Sequence, residues 1–176
     1  TGIHLEIYSD TVRASACDAF RMAVTEIKCN CGGKMSVTVP KQSFFYLANA
    51  VEDKDLLEFG LNANTLVFIK SDMLFSTRII SEPFMNIDRL LNMPDKMLVA
   101  KIKANDMKTM AETVSMITNF SEDTAPVLLK FKNNNLQLSI ESTEAESMLN
   151  VPIESVNMIS GEFYYNAKYF SDMLKV

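Results

Sequence analysis

The sequence has few of the residues that form catalytic sites and disulfide-stabilised folds. It contains one histidine and no tryptophan, and its three cysteines are an odd number and a poor disulfide framework. A single histidine leaves little room for a catalytic dyad or triad. The glycine patterns of dinucleotide and Walker A sites are also missing. These absences count against an enzyme and favour a reducing compartment.

Long apolar runs and an excess of basic charge are missing too. No stretch approaches the roughly 18 apolar residues of a membrane span, and the start lacks the basic-then-apolar order of a signal peptide. The formal net charge is −5 and 48% of the residues are hydrophobic. The sequence predicts a globular protein without a membrane anchor. The negative net charge disfavours a protein that binds nucleic acid through an overall positive charge. It remains compatible with a basic face on an otherwise acidic protein.

Most of the chain alternates apolar and polar residues, the pattern of half-buried strands. Ile3, Leu5 and Ile7 alternate with polar neighbours, and 12–16 repeat the pattern after a turn at 9–10. Short apolar runs divided by Asp, Asn or Gly continue this arrangement. They predict strands at 20–27, 35–39, 56–61, 64–70, 73–80, 97–103, 126–132, 134–142, 145–151 and 161–165.

Helical periodicity is clear in one segment, 105–119, where Asn105 is the expected N-cap. Two shorter helices are predicted near 41–51 and 167–175. Together with the strands, they predict an α+β fold of curved antiparallel sheets with amphipathic helices packed on one face. The apolar stripe of the long helix consists of Met107, Met110, Ala111, Val114 and Ile117.

A strand that runs directly into a helix occurs twice, at 37–44 and 162–170. The hairpin strand at 10–16 likewise matches 134–140. Both offsets are close to 125 residues, as expected of a repeated unit of about domain size. The two units start and stop at different points of the repeat. We therefore expect the chain to be a piece of something longer, with the junction at 81–96.

Several short segments, in this order and spacing, resemble the bacterial sliding clamp family, the beta subunit of DNA polymerase III. Residues 16–24 read Ala-Cys-Asp-Ala-Phe-Arg-Met-Ala-Val, similar to the family's Ala-Thr-Asp-Gly-His-Arg-Leu-Ala. Residues 37–41 resemble its Val-x-Val-Pro-Arg/Lys corner. Residues 84–91 keep part of its Phe-Pro-Asp-Tyr-x-Arg-x-Leu, and 163–169 resemble its helix entry.

The resemblance implies a fold, a division of the chain and a function. Residues 1–88 would be the C-terminal part of the middle clamp domain, and 89–176 the N-terminal part of the third. The whole parent protein would be a ring-shaped homodimer around duplex DNA. It would act as a processivity factor that tethers the polymerase by topology, with no catalysis, cofactor or metal of its own. Its place would be the cytoplasm, on the nucleoid.

A peptide-binding cleft is also implied. In the family, DNA polymerase, the clamp loader and repair proteins dock short peptides where the middle and third domains meet, in a groove of mobile apolar side chains flanked by guanidinium groups. The residues alone favour the ordinary alternative, in which Met22 and Leu90 are core residues and Arg21 and Arg89 are solvated; the resemblance is what raises the cleft interpretation. The positions that the resemblance assigns to the cleft are Cys17, Ala19, Phe20, Arg21, Met22, Met85, Arg89 and Leu90.

Three lysines are implied to face double-stranded DNA. Lys41 follows the strand-to-helix corner, and Lys103 and Lys108 frame the start of the long helix. Contacts of this kind meet phosphates without reading bases, so binding is loose, sensitive to salt and compatible with sliding. The alternative for each lysine is a solvated surface position.

Two other interpretations stay open. The chain could be a non-catalytic, β-rich interaction or small-ligand-binding scaffold unrelated to replication. Cys29 and Cys31, with Cys17 and His4, could also supply four zinc ligands. However, Cys-x-Cys is not the usual zinc spacing, so a loop and a buried cysteine are the favoured interpretation.

Overall fold

The structure is a computed structural model that describes residues 2–92, 100–118, 126–132, 134–141, 145–155 and 160–173. The chain divides into two compact units, Thr1–Ile87 and Asp88–Val176. Each unit is built from antiparallel sheets and helices. Within the described ranges, no helix is long and apolar enough to cross a membrane.

The first unit contains a four-stranded antiparallel sheet in the order β3-β2-β1-β4 and a three-stranded sheet in the order β5-β6-β7. The helix α1 follows β4 directly at Pro40, a residue suited to a helix start because its backbone angle is already set. The elements are β1 (Gly2–Tyr8), β2 (Thr11–Cys17), β3 (Met22–Lys28), β4 (Met35–Pro40), α1 (Lys41–Ala50), β5 (Glu58–Asn62), β6 (Thr65–Lys70) and β7 (Met73–Arg78).

The core of the first unit lies where both sheets and α1 meet. The predicted inward face of β1 is buried at Leu5 and Ile7, and Leu5 lies opposite Ala14 on β2 and Val37 on β4. This alternation is why the hairpin could be predicted from sequence. The buried cluster comprises Leu5, Val37, Val39, Leu47, Leu66 and Phe68.

The second unit repeats a four-stranded antiparallel sheet, in the order β11-β10-β9-β13, beside a two-stranded pair of β12 and β8. Its helices α3 and α4 pack on each other, and α3 also packs on β10 and β11. The elements are α2 (Asp88–Leu91), β8 (Ala100–Lys101), α3 (Ala104–Thr118), β9 (Pro126–Lys132), β10 (Asn135–Glu141), β11 (Glu146–Pro152), β12 (Glu154–Ser155), β13 (Ser160–Asn166) and α4 (Ala167–Met173).

The long helix α3 confirms the predicted apolar stripe. Met110 and Val114 are fully buried, and Met107 is partly buried against the same core. Lys108 and Glu112 are exposed, as the periodicity requires. The other buried residues of this core are Ile117, Val127, Leu129, Leu136, Leu138, Ile140, Val151, Ile153, Ala167 and Phe170.

The expected N-cap of α3 is wrong by two residues. The helix begins at Ala104, so Asn105 lies inside its first turn. The carbonyl of Lys103 accepts the amides of Asp106 and Met107 at 3.0 and 3.2 Å. Backbone bonding therefore extends the helix ahead of the side chain that was expected to start it.

Several strand ends also differ from the predictions. β3 begins at Met22 rather than residue 20, because 18–21 form a turn, and β5 begins at Glu58 rather than 56. Of the predicted strand 97–103, the structure shows only Ala100–Lys101, while 93–99 lie outside the described residues. The short helix α2 falls in the segment expected to be the junction.

The structure also corrects the expectation that three cysteines make a poor disulfide framework. Cys29 and Cys31 form a disulfide, with their Cα atoms 5.7 Å apart, and Cys17 is a free thiol. An odd number of cysteines leaves one unpaired but does not prevent the other two from bonding. The described residues contain no group of three or more histidine, cysteine or carboxylate side chains that could hold a metal ion.

Candidate functional site

The turn between β2 and β3 brings five of the predicted cleft residues together. It spans 18–21 and is closed by the Asp18 amide, which donates to the Arg21 carbonyl at 3.0 Å. Cys17 and Met22 lie opposite each other at the ends of the paired strands. The five residues gathered on this turn are Cys17, Ala19, Phe20, Arg21 and Met22.

The Asp18 carboxylate fixes the shape of this turn. Its Oδ1 accepts the backbone amides of Phe20 and Arg21 at 2.9 and 2.8 Å. Its Oδ2 accepts Nε and Nη2 of Arg21 at 3.0 and 2.8 Å, a bidentate charge-assisted pair. One side chain therefore sets both the backbone of the turn and the position of the guanidinium group.

The same hydrogen bonds keep Asp18 charged. The Phe20 amide, followed by the Arg21 side chain, holds the pKa of this carboxyl below its ordinary value. Asp18 was not among the predicted site residues, although the sequence resemblance includes it. The signal that could have found it is the Asp-x-x-Arg spacing, because an aspartate at a turn commonly accepts the amides two and three residues on.

The apolar side chains of the turn are presented outwards. Phe20 is 73% exposed, whereas Cys17 and Met22 are half-buried. An exposed phenylalanine beside a fixed guanidinium group suits contact with a partner better than a place in the core. Met22 is only half-buried, so the ordinary-core interpretation accounts for its buried part and leaves the exposed part open to a partner.

Met85 lies in the segment that follows β7 in the first unit. The neighbouring Phe84 stacks on His4 of β1, with ring centroids 4.6 Å apart and planes 4° apart, and Ile87 is buried. These two anchors hold the segment, while Met85 between them is 46% exposed. Met85 thus presents an exposed apolar side chain from a segment that is anchored on both sides.

Arg89 and Leu90 lie on α2, in the second unit. Both are exposed, and Leu90 is exposed over 47% of its surface, which is wrong for a core residue. A cleft that combines these two residues with the turn at 18–21 would require both units. Its assembly stays a prediction.

The three predicted DNA-facing lysines are exposed. Lys41 is the first residue of α1 in the first unit. In the second unit, Lys103 immediately precedes α3 and Lys108 lies in its second turn. Each helix therefore carries basic charge at its beginning, although the chain as a whole is acidic.

Comparison with known proteins supports the resemblance found in the sequence. Residues 1–86 match the model for the DNA polymerase III beta subunit, central domain. This part of the chain is therefore similar to the central domain of that family. It is 23% identical over 194 residues to the beta sliding clamp of Synechocystis sp., in a match that covers 99% of this chain and 49% of that protein.

Solved structures of this family have the same fold. The beta subunit of DNA polymerase from Streptococcus pyogenes matches with a TM-score of 0.85 at 20% identity, covering 99% of this chain and 48% of that one. The DNA polymerase sliding clamp of Pseudomonas aeruginosa, solved with a ligand, matches with a TM-score of 0.84 at 19% identity over the same shares. The α+β clamp fold is thereby confirmed. The chain spans about half the length of these relatives.

Proposed function

We propose that this chain is part of a sliding clamp, a ring that encircles duplex DNA and keeps a DNA polymerase on its template. The family match over residues 1–86 carries the proposal. In this role the protein needs no chemistry of its own, since a closed ring holds DNA by topology. The partners proposed are double-stranded DNA, DNA polymerase, the clamp loader and repair proteins, and the location is the cytoplasm, on the nucleoid.

The proposed division places the C-terminal part of the middle clamp domain in 1–88 and the N-terminal part of the third in 89–176. The compact units Thr1–Ile87 and Asp88–Val176 support this division. The complete protein would form a ring-shaped homodimer.

Peptide docking is proposed at the turn 18–21 together with Met85, Arg89 and Leu90. The support is that Phe20, Met85 and Leu90 are large apolar side chains with exposed surface, and that Arg21 is held in one position by Asp18. Apolar anchors of a peptide would bury these surfaces, and the guanidinium groups would bind its backbone or carboxylates.

DNA contact is proposed at Lys41, Lys103 and Lys108. Their exposure at the beginnings of two helices supports this role. Three lysines can neutralise only a few phosphates, so on an acidic chain they suit a loose, salt-sensitive contact better than tight binding. Loose contact is what a sliding ring requires.

Peptide binding to the chain itself tests the proposed cleft. A peptide with Leu and Phe anchors is titrated into the wild type, Met22→Glu and Met148→Glu by calorimetry. Met148 is the matched control, because it is an exposed methionine on β11, outside the cleft. We expect binding to be lost only in Met22→Glu. Equal loss in both variants, or equal binding in all three, would remove Met22 from the proposed cleft.

A further inference from the structure

The disulfide between Cys29 and Cys31 lies inside a single connection of the first unit. The two cysteines are separated only by Asn30, between the end of β3 at Lys28 and the start of β4 at Met35. A bridge of this span joins no two separate elements. A disulfide stabilises a fold mainly by restricting the unfolded chain, and this effect falls as the closed loop shortens, so this bridge adds little to the stability of the fold.

The position of Cys29 is held without the bridge. Its amide donates to the carbonyl of Asp10 at 2.8 Å, in the turn between β1 and β2. The neighbouring Lys28 pairs with the Asp10 carboxylate, with Nζ 3.1 Å from both oxygens. The backbone around Cys29 should therefore keep its place when the sulfur–sulfur bond is broken.

The bridge is open to attack from solvent and the connection has room to move. Both cysteines are half-buried, whereas Asn30 between them and Lys34 after them are exposed. A Cβ added at Gly32 or Gly33 would meet no atom within 4 Å beyond its immediate chain neighbours. A small thiolate can therefore approach, and the released thiols meet no tight packing.

The connection also forms one wall of a cavity of about 640 Å³ in the first unit. The opposite wall is the segment 56–61, which enters β5 at Glu58. The lining is mainly apolar on that side, at Leu56, Leu57, Phe59 and Leu61. A change in the cysteine loop therefore changes the boundary of an apolar cavity.

We propose that Cys29 and Cys31 are a reversible thiol–disulfide couple that exchanges with small dithiols and reshapes this cavity. A thiolate of the dithiol attacks one cysteine Sγ, forming a mixed disulfide, and the other Sγ leaves as a thiolate and takes a proton. The second thiol of the reagent then displaces the first cysteine. Two electrons and two protons pass to the protein, and the dithiol leaves as its own disulfide.

The test equilibrates the full chain in dithiothreitol buffers of graded redox poise. Thiols are trapped with acid, alkylated under denaturing conditions and counted by intact mass. We expect one label at Cys17 in every buffer, and two more that appear together as the buffer becomes reducing, with an unchanged circular dichroism spectrum. Cys17→Ser should remove the constant label alone, and Cys29→Ser should abolish the paired transition.

Hydrogen exchange tests the link to the cavity. We expect faster exchange in 30–35 and 56–61 after reduction and unchanged exchange in β9 to β13, with the double variant Cys29→Ser, Cys31→Ser matching the reduced protein. The redox couple is overturned if all three cysteines are labelled in the most oxidising buffer, or if the pair reduces only when the protein unfolds. Unchanged exchange in 56–61 overturns the effect on the cavity.

Discussion

Asp18 holds Arg21 through both its backbone and its side chain. The carboxylate accepts the Arg21 amide at 2.8 Å on one oxygen and the guanidinium group on the other, at 3.0 and 2.8 Å. The turn that carries the candidate cleft residues is thus preorganised by one aspartate. Preorganisation lowers the entropy that a partner must overcome on binding.

Replacing this carboxylate should weaken peptide binding without unfolding the protein. Asp18→Asn keeps the side-chain shape but loses the charge-assisted pair with Arg21, so the guanidinium group becomes mobile. We expect affinity to fall by roughly two- to tenfold, since about 0.5–1.5 kcal/mol is typical of ordering one such side chain. Calorimetry measures the affinity. Asp72→Asn, on the β6–β7 turn, is the control and should leave it unchanged.

The pH dependence of stability should reveal the same carboxylate. The pKa of Asp18 is lowered in the folded state, so its stabilising effect is complete above the unfolded pKa and is lost as pH falls through the folded pKa. The wild type should therefore exceed Asp18→Asn in stability at neutral pH. This difference should shrink once the pH drops below the ordinary aspartate value of 3.8.

Urea unfolding of both proteins at a series of pH values measures this difference. Asp10, Glu26 and Asp55 also have lowered pKa values, so the stability of each protein falls in acid. Subtracting the variant isolates the Asp18 contribution. A difference that stays constant down to pH 2 would contradict the assignment.

The core of the second unit depends on α3. Val114 is fully buried, so Val114→Ala should cost about 1–3 kcal/mol in the free energy of unfolding, through reduced apolar burial and the cavity left behind. Met116 lies two residues on, with 64% of its surface exposed, and Met116→Ala should change stability by less than about 0.5 kcal/mol. Equal effects in urea denaturation would refute this helix register.

Sequence reasoning succeeded where one periodic pattern decides the structure. Val114 and Met110 could be placed in the core because the stripe of α3 has a single orientation that buries it. Asn105 was misplaced because the backbone carbonyl of Lys103 starts the helix, and side-chain preferences do not report such bonds. The bridge between Cys29 and Cys31 was missed because pairing depends on the path of the loop.

The candidate site was predicted only in part for a similar reason. The residues of the turn 17–22 are adjacent in sequence, so their proximity follows from the hairpin alone. The role of Asp18 in this turn becomes evident only from the four hydrogen bonds that its carboxylate accepts. The assignment of Arg89 and Leu90 to the same cleft depends on the resemblance, because nothing local in the sequence relates them to that turn.

Salt dependence should distinguish the proposed DNA-facing lysines from other surface lysines. Replacing Lys103 and Lys108 together by alanine should lower the affinity for short duplex DNA. It should also reduce the slope of log affinity against log salt by about 0.9 for each phosphate that is no longer neutralised. Lys132→Ala is the control, because this exposed lysine ends β9. Fluorescence anisotropy at graded salt measures the slope. An equal change in the control would remove the two lysines from the DNA-facing surface.

Retention on circular DNA tests the central claim most directly. The complete clamp proposed above is incubated with nicked circular duplex DNA, a clamp loader and ATP. The bound fraction is then followed by gel filtration in high salt before and after one restriction cut. A clamp should stay on the circle in salt and be released once the DNA is linear, because topology holds it. Dissociation from the circle and the linear form at the same rate would contradict the account.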